Sequence, residues 1–256
     1  MQIWNRTTVE GHESWTGSNG QIELTVIPSL GSKVCSLKNL ASGTEWLASS
    51  GRPFGNKGYA SPFTESDMNG WDEMFPTINA CSYPDFPWEG TAVPDHGEVW
   101  SVPWTARADN DELVCEVHGI RFPYKLEKAY RFLPDHTVRI RYTAHNLSPF
   151  PFSFLWAAHP LFRISPGMKL LVPDSVNRIV VSYSYQQRLG RFGDEQDWPA
   201  AAAAHGVVHL DQIDPDAVSA EKYYFSGPVP EGWSALYDPQ TNEKLTIRFP
   251  AEKVPY

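Results

Sequence analysis

Cysteine is scarce in this chain: 256 residues hold three, Cys35, Cys81 and Cys115, far apart and with no CxxC among them. An odd, scattered set argues against a disulfide framework and fits reduced thiols in a cytoplasmic protein. Positive charge is in the minority, 21 Lys and Arg against 30 Asp and Glu, and the net charge is −9. That balance argues against general binding to nucleic acid or to an anionic membrane surface. No apolar run approaches the roughly 20 residues that a membrane-spanning helix needs. The first residues, MQIWNRTTVEGHESW, carry neither the basic start nor the apolar stretch of a secretory signal. A 3.6-residue apolar period is also absent from every stretch long enough for a sizeable helix. What remains is an acidic chain, expected in the cytoplasm, whose main element is not the helix.

Short extended segments are present instead. Ile22–Pro28 and Lys33–Leu40 flank Ser29–Ser32, a turn containing a glycine, and read as a hairpin. Glu112–His118, Tyr124–Leu133, Thr137–Leu147, Phe152–His159, Lys169–Pro173 and Arg178–Tyr185 follow as β-rich runs. Trp233–Asp238 and Lys244–Phe249 form a last hairpin across Pro239-Gln240-Thr241-Asn242. In the third of these runs Val138, Ile140, Tyr142 and Ala144 alternate with Arg139, Arg141, Thr143 and His145, as in a sheet with one wetter face. The alanine run Ala200–Ala204 is hemmed in by Pro199 and Gly206 and reads as loop. Twenty-two prolines and eighteen glycines supply turns throughout, with no interdomain linker and no internal repeat. The expected fold is all-β: one large antiparallel β-sandwich domain over residues 1–256.

Two long segments interrupt that pattern, Phe63–Thr77 (FTESDMNGWDEMFPT) and Tyr83–Trp104 (YPDFPWEGTAVPDHGEVWSVPW). Irregular loops beyond about 12–15 residues usually serve a site or are disordered. These carry Trp71, Phe75, Tyr83, Phe86, Trp88, Trp100 and Trp104, too many aromatics for disorder. Flat aromatic faces pack on the C–H faces of a sugar while Asp, Glu, His and Asn bond its hydroxyls, a combination typical of ligand pockets. The alternative use of the same aromatics is to cover an apolar sheet face. Asp72 and Glu73, with Trp71 beside them, are candidate cleft-lining groups; a solvated loop face is the competing reading.

His159 closes the extended run FLWAAHPLF. Pro160 biases it towards extended backbone and lacks the N–H to continue a ladder, so a strand is expected to end there. An imidazole at a sheet rim titrates near neutral pH and is suited to proton exchange with a ligand in a cleft. A core histidine bonded to a carbonyl is the plainer alternative.

Taken in order, NGQIELTVIPSLGSKVCSLKNLASGTEWL, GWDEMFPT, PDHGEVWSVPW and AAHPLF resemble the aldose 1-epimerase (galactose mutarotase-like) superfamily, from about Asn19 to His159 and more weakly to Tyr256. The resemblance implies a supersandwich fold, interconversion of the α- and β-anomers of an aldose, and neither metal nor organic cofactor. His159, in His159-Pro160-Leu161-Phe162, matches the family's general acid. His96, in Pro94-Asp95-His96-Gly97, matches the loop histidine that holds and polarises sugar oxygens. Where phosphosugar-specific relatives carry an arginine soon after that histidine, this chain has Val99 and Trp100. An arginine fork is the natural phosphate reader, so a neutral sugar is expected, with Trp100 as an aromatic wall.

The family's base, a glutamate near the C-terminus, has no counterpart before Tyr256, which implies a C-terminally shortened member unless Glu73, Glu98 or another carboxylate substitutes. A carbohydrate-binding protein without catalysis is the competing reading. A zinc site at His205 and His209 is disfavoured by the intervening Gly206-Val207-Val208, and no GxSxG elbow supports a serine hydrolase.

Overall fold

The computed structural model describes residues 3–56, 58–203 and 206–255, so His205 lies outside the described residues. The chain divides into two compact units, Met1–Arg163 and Ile164–Tyr256. The join falls in LFRIS, where no Gly- or Ser-rich spacer announces it.

The first unit is built from β1 (Trp4–Val9), β2 (His12–Ser18), β3 (Ile22–Ile27), β4 (Lys33–Asn39), β5 (Trp71–Met74), the short pair β6 (Cys81–Ser82) and β7 (Ala92–Val93), β8 (Thr105–Asp109), β9 (Glu112–His118), β10 (Tyr124–Phe132), β11 (Val138–Asn146) and β12 (Ala157–Pro160). Six of these form one antiparallel sheet in the order β1-β2-β3-β4-β5-β12, and four form another in the order β11-β10-β9-β8. The hairpin expected at β3 and β4 is present, turned by a 3-10 turn at Pro28–Leu30 and by Gly31 at φ +71°. A Cβ on Gly31 would collide with the Trp100 backbone, so this turn requires glycine for its close approach as well as its φ.

The two sheets pack face to face through residues that alternate along β10. Tyr124, Leu126, Lys128, Tyr130 and Phe132 point inward and are buried, while Lys125, Glu127 and Arg131 are more exposed. Trp4 of β1 lies 6.0 Å from Tyr130 and 5.2 Å from Phe132. Burying such aromatic and aliphatic side chains on both inner faces is the main favourable contribution to a sandwich.

The second unit contains β13 (Lys169–Leu171), β14 (Arg178–Ser184), β15 (Glu195–Asp197), β16 (Ala200–Ala203), β17 (Gly206–His209), β18 (Glu221–Phe225), β19 (Trp233–Asp238) and β20 (Glu243–Arg248). They pair as β13-β19-β20, β15-β14-β18 and β16-β17. A small apolar cluster of Val181, Leu189 and Ala201, joined by Ala203, Val208 and Leu210, anchors β16 and β17.

Three expectations are corrected. Ala200–Ala203 is a strand, not a loop: it pairs residue for residue with Gly206–His209, and Ala201 is fully buried. Cross-strand pairing with Val207 and Val208 outweighs the helical preference of alanine. The run Phe152–His159 is a strand only from Ala157, continuing through Pro160; upstream it leaves Phe154 and Leu155 exposed. Finally, part of the first supposed loop is β5, an interior strand of the six-stranded sheet. Cys35 is half-buried, Cys81 exposed and Cys115 buried, and all three are free thiols. Among the described residues no helix is long and apolar enough to cross a membrane.

Candidate active site

The site begins with a turn. Pro94-Asp95-His96-Gly97 is closed by the Gly97 N–H donating to the Pro94 carbonyl at 2.9 Å, with His96 at φ +63° and Gly97 at φ +71°. A non-glycine residue at positive φ is strained, though histidine tolerates that region better than most. The loop is fastened on both sides. His96 N–H donates to the Ile78 carbonyl at 3.1 Å, and Glu98 N–H to the Phe75 carbonyl at 2.7 Å. A Cβ on Gly97 would strike the Phe75 backbone, so glycine lets the loop lie flat on the chain leaving β5.

His159 arrives from β12, where it pairs directly with Asp72 of β5. The loop and the strand bring the two imidazoles together, ring centroids 5.0 Å apart and planes at 76°. Phe63, in a 3-10 turn at Phe63–Glu65, joins them: it stacks on His96 at 4.3 Å and 4°, and meets His159 edge-on at 4.9 Å. Trp100 packs edge-on against Phe63 at 5.2 Å. Trp100 is itself 1% exposed, so it buttresses Phe63 and is not an open wall. Phe63 thus touches both histidines. No motif marked it in the sequence; only its position at the head of the first long segment pointed to it.

The His96 ring is oriented by its neighbour. Its Nδ1 lies 2.7 Å from Asp95 Oδ2, and Asp95 is about half exposed while the imidazole is mostly covered.

The carboxylates expected in the cleft lie elsewhere. Glu73 is 0% exposed and faces the space between the sheets. It pairs with Lys128 Nζ at 2.6 Å and accepts from Tyr142 Oη at 2.9 Å and Trp156 Nε1 at 3.1 Å. Trp71 is on the same face as Glu73, its ring 5.3 Å from Lys128 Nζ. Trp71 and Glu73 thus build the intersheet core; they do not line the imidazole pair. Glu98 is equally occupied: it accepts from Tyr59 and Tyr124 hydroxyls and from the Ile120 and Arg121 backbone N–H groups.

Asp72 is on the His159 face of the β5–β12 pair but is 1% exposed. Its Oδ2 lies 2.7 Å from Lys33 Nζ, which also bonds Asp67 at 2.9 Å and the Asn69 carbonyl at 2.9 Å. Burial alone would lower the Lys33 ammonium, but Asp72 and Asp67 together hold it above its usual range. One ammonium cannot satisfy two buried carboxylates. Asp67 has further donors in the Asn69 and Gly55 N–H groups, whereas Asp72 Oδ1 is buried without a partner. Burial therefore pushes the Asp72 carboxyl up to about 6 against the pull of Lys33. Among the described residues no group of three or more His, Cys, Asp or Glu could hold a metal ion.

No protein-family model matches the sequence, and no curated protein is similar to it at the sequence level. Solved structures do match. The Slr1438 protein of Synechocystis is similar over 98% of this chain and 78% of its own, with a TM-score of 0.63 and 18% identity. A galactose mutarotase-like protein of Lactobacillus casei covers 92% of this chain and 79% of its own, at a TM-score of 0.59 and 16% identity. An Escherichia coli protein to which aldose 1-epimerase activity is provisionally ascribed covers 89% and 74%, at 0.55 and 18%. With its antiparallel sheets and these neighbours, the chain has the galactose mutarotase-like β-sandwich fold.

Proposed function

We propose that the chain is an aldose 1-epimerase acting on a free, neutral aldose. The observation that carries this is the imidazole pair, two rings 5.0 Å apart around Phe63. Mutarotation needs one group to give a proton to the ring oxygen and another to take one from the anomeric hydroxyl. Those two oxygens share a single carbon, so the groups serving them must lie a few ångströms apart. His159 is the acid. Phe63, buried against both rings and backed by Trp100, holds the two imidazoles in place. The absence of an arginine at Val99 and Trp100 favours a substrate without phosphate.

Exchange between the anomers of glucose and galactose, followed by NMR, tests the reading. The protein should speed exchange, and His159→Ala should slow the catalysed rate about 100-fold or more with the fold intact, as for loss of a positioned proton donor. Binding of sugar with no acceleration would make the chain a carbohydrate-binding protein instead. Activity of His159→Ala within a few-fold of wild type would remove that residue from the mechanism.

A further inference from the structure

We propose that the aromatic patch of the first unit where Phe86 and Phe150 meet is the contact surface of a two-fold dimer of this chain. Two segments build it. The loop of the β6–β7 hairpin, YPDFPWEGT, presents Phe86, which is 72% exposed. The stretch leading into β12, LSPFPFSF, presents Leu147, Phe150 and Phe154, 55%, 39% and 49% exposed. The rings are contiguous. Phe86 meets Phe150 edge-on at 5.4 Å, Trp88 lies 6.4 Å from Phe150 and 5.7 Å from Phe152, and Phe152 lies 6.5 Å from Phe154. The base beneath them is firm. Buried Tyr83 stacks on Phe152 at 5.4 Å, its N–H donates to the Thr91 carbonyl at 2.8 Å, and its own carbonyl accepts from the Gly90 N–H at 2.9 Å. An exposed aromatic on a fastened loop loses little freedom on contact, as interface anchors do.

The chemistry of the patch selects its occupant. Its two segments carry Asp85 and Glu89 and no Lys, Arg or His, which argues against an anionic polymer or membrane surface. A glycan would need partners for its hydroxyls, but the polar side chains among the rings are turned on their own chain. Asn146 donates to the Phe150 carbonyl, Ser148 to Asn146 and the same carbonyl, and Ser153 to Asp85. Apolar area with few charges is what the core of a homodimer interface offers. The exposed parts of the three phenylalanines come to about 300 Å², taking 150–250 Å² for a whole aromatic side chain. Leu147 and the exposed prolines 87, 149 and 151 raise the apolar surface to about 500 Å². A standard interface takes roughly 800 Å² from each partner, about 65% of it apolar in homodimers. The patch therefore supplies the apolar share that a second copy requires, and a two-fold axis sets it against itself.

Sedimentation equilibrium of the whole chain between about 1 and 200 µM reads the association. Wild type should pass from monomer to dimer within that range. Phe86→Glu should raise the dissociation constant about 30-fold or more, as loss of an aromatic anchor does. Leu147→Glu should also weaken the dimer. Both variants should keep the wild-type circular dichroism, because both side chains already face water. Phe192→Glu, at an aromatic 83% exposed in the second unit, should leave association unchanged. Each copy carries a net charge of −9, so raising salt from about 50 to 500 mM should tighten the dimer severalfold. A wild type that stays monomeric throughout would overturn the proposal, and binding of a soluble glucan or of neutral vesicles by that monomer would assign the patch to another occupant. A dimer indifferent to Phe86→Glu and Leu147→Glu, or one that salt dissociates, would place the contact elsewhere and overturn it as well.

Discussion

His96 and Asp72 each hold a conformation or a charge that the fold would be easier without. At His96 the burden is backbone strain. Replacing it by glycine or by alanine deletes the same ring, but only glycine relaxes at φ +63°. The usual order should therefore invert, His96→Gly being more stable than His96→Ala by about 1 kcal/mol. Chemical denaturation of the two variants compares them directly, and an alanine variant at least as stable would argue against strain. At Asp72 the burden is a desolvated charge. Its carboxyl titrates near 6 in the folded chain and near 3.8 when exposed. A raised pKa favours folding below the unfolded value, and that advantage is lost as pH rises through the folded one. Wild type should thus lose up to about 3 kcal/mol relative to Asp72→Asn between pH 4 and pH 7.5. Parallel unfolding curves at the two pH values, with a constant gap between variants, would exclude this. The histidines were legible in the sequence because a His before Pro in an apolar run, and a His before Gly in an aromatic-rich loop, are unusual. Phe63 and Lys33 were not. One is an ordinary aromatic and the other an ordinary strand lysine, and only tertiary placement makes them part of the site.

At the scale of elements, β5 and β10 are joined by a buried charge pair. Lys128 Nζ sits 2.6 Å from Glu73 and within 6 Å of the Trp71, Tyr130 and Tyr142 rings. Removing one partner strands the other, so Glu73→Leu alone should cost about 3–5 kcal/mol. Combining it with Lys128→Met should recover part of that loss, since an apolar pair needs no compensation. Equilibrium unfolding of the single and double variants supplies the cycle, and a double variant less stable than Glu73→Leu would refute the idea. β9 and β19 could be read to the residue because Val114 and Val117 in one, and Trp233 and Tyr237 in the other, favour extended backbone between clear turn signals. β1 and β2 could not: WNRTTV and HESWTGS are polar strands whose buried residues are few. β5 was hidden for another reason, since its DE pair looks like a solvated loop until Lys33 and Lys128 appear on its two faces.

For the whole molecule, the net charge of −9 acts on whatever approaches it. A neutral aldose feels no such field, whereas a sugar phosphate is repelled until salt screens the surface. Turnover of free sugar should therefore be flat between about 10 mM and 500 mM salt, spans over which the Debye length falls severalfold. Any turnover of the 6-phosphate should be weak and rise with salt. Phosphate turnover that is strong and falls with salt would point to a cationic pocket. The two-unit division was not legible in composition, because both units share the same strand-and-turn texture. The free thiols of this chain are unequal. Burial pushes Cys35 up to about 12 and Cys115 up to about 11, so neither ionises readily. Cys81 is exposed and bonds Thr77 Oγ1 at 3.6 Å, next to the Ile78 carbonyl that holds the His96 backbone. The native sequence thus offers one addressable position for a fluorescent reporter, on the segment that tethers the His96 loop and without any cysteine having to be introduced.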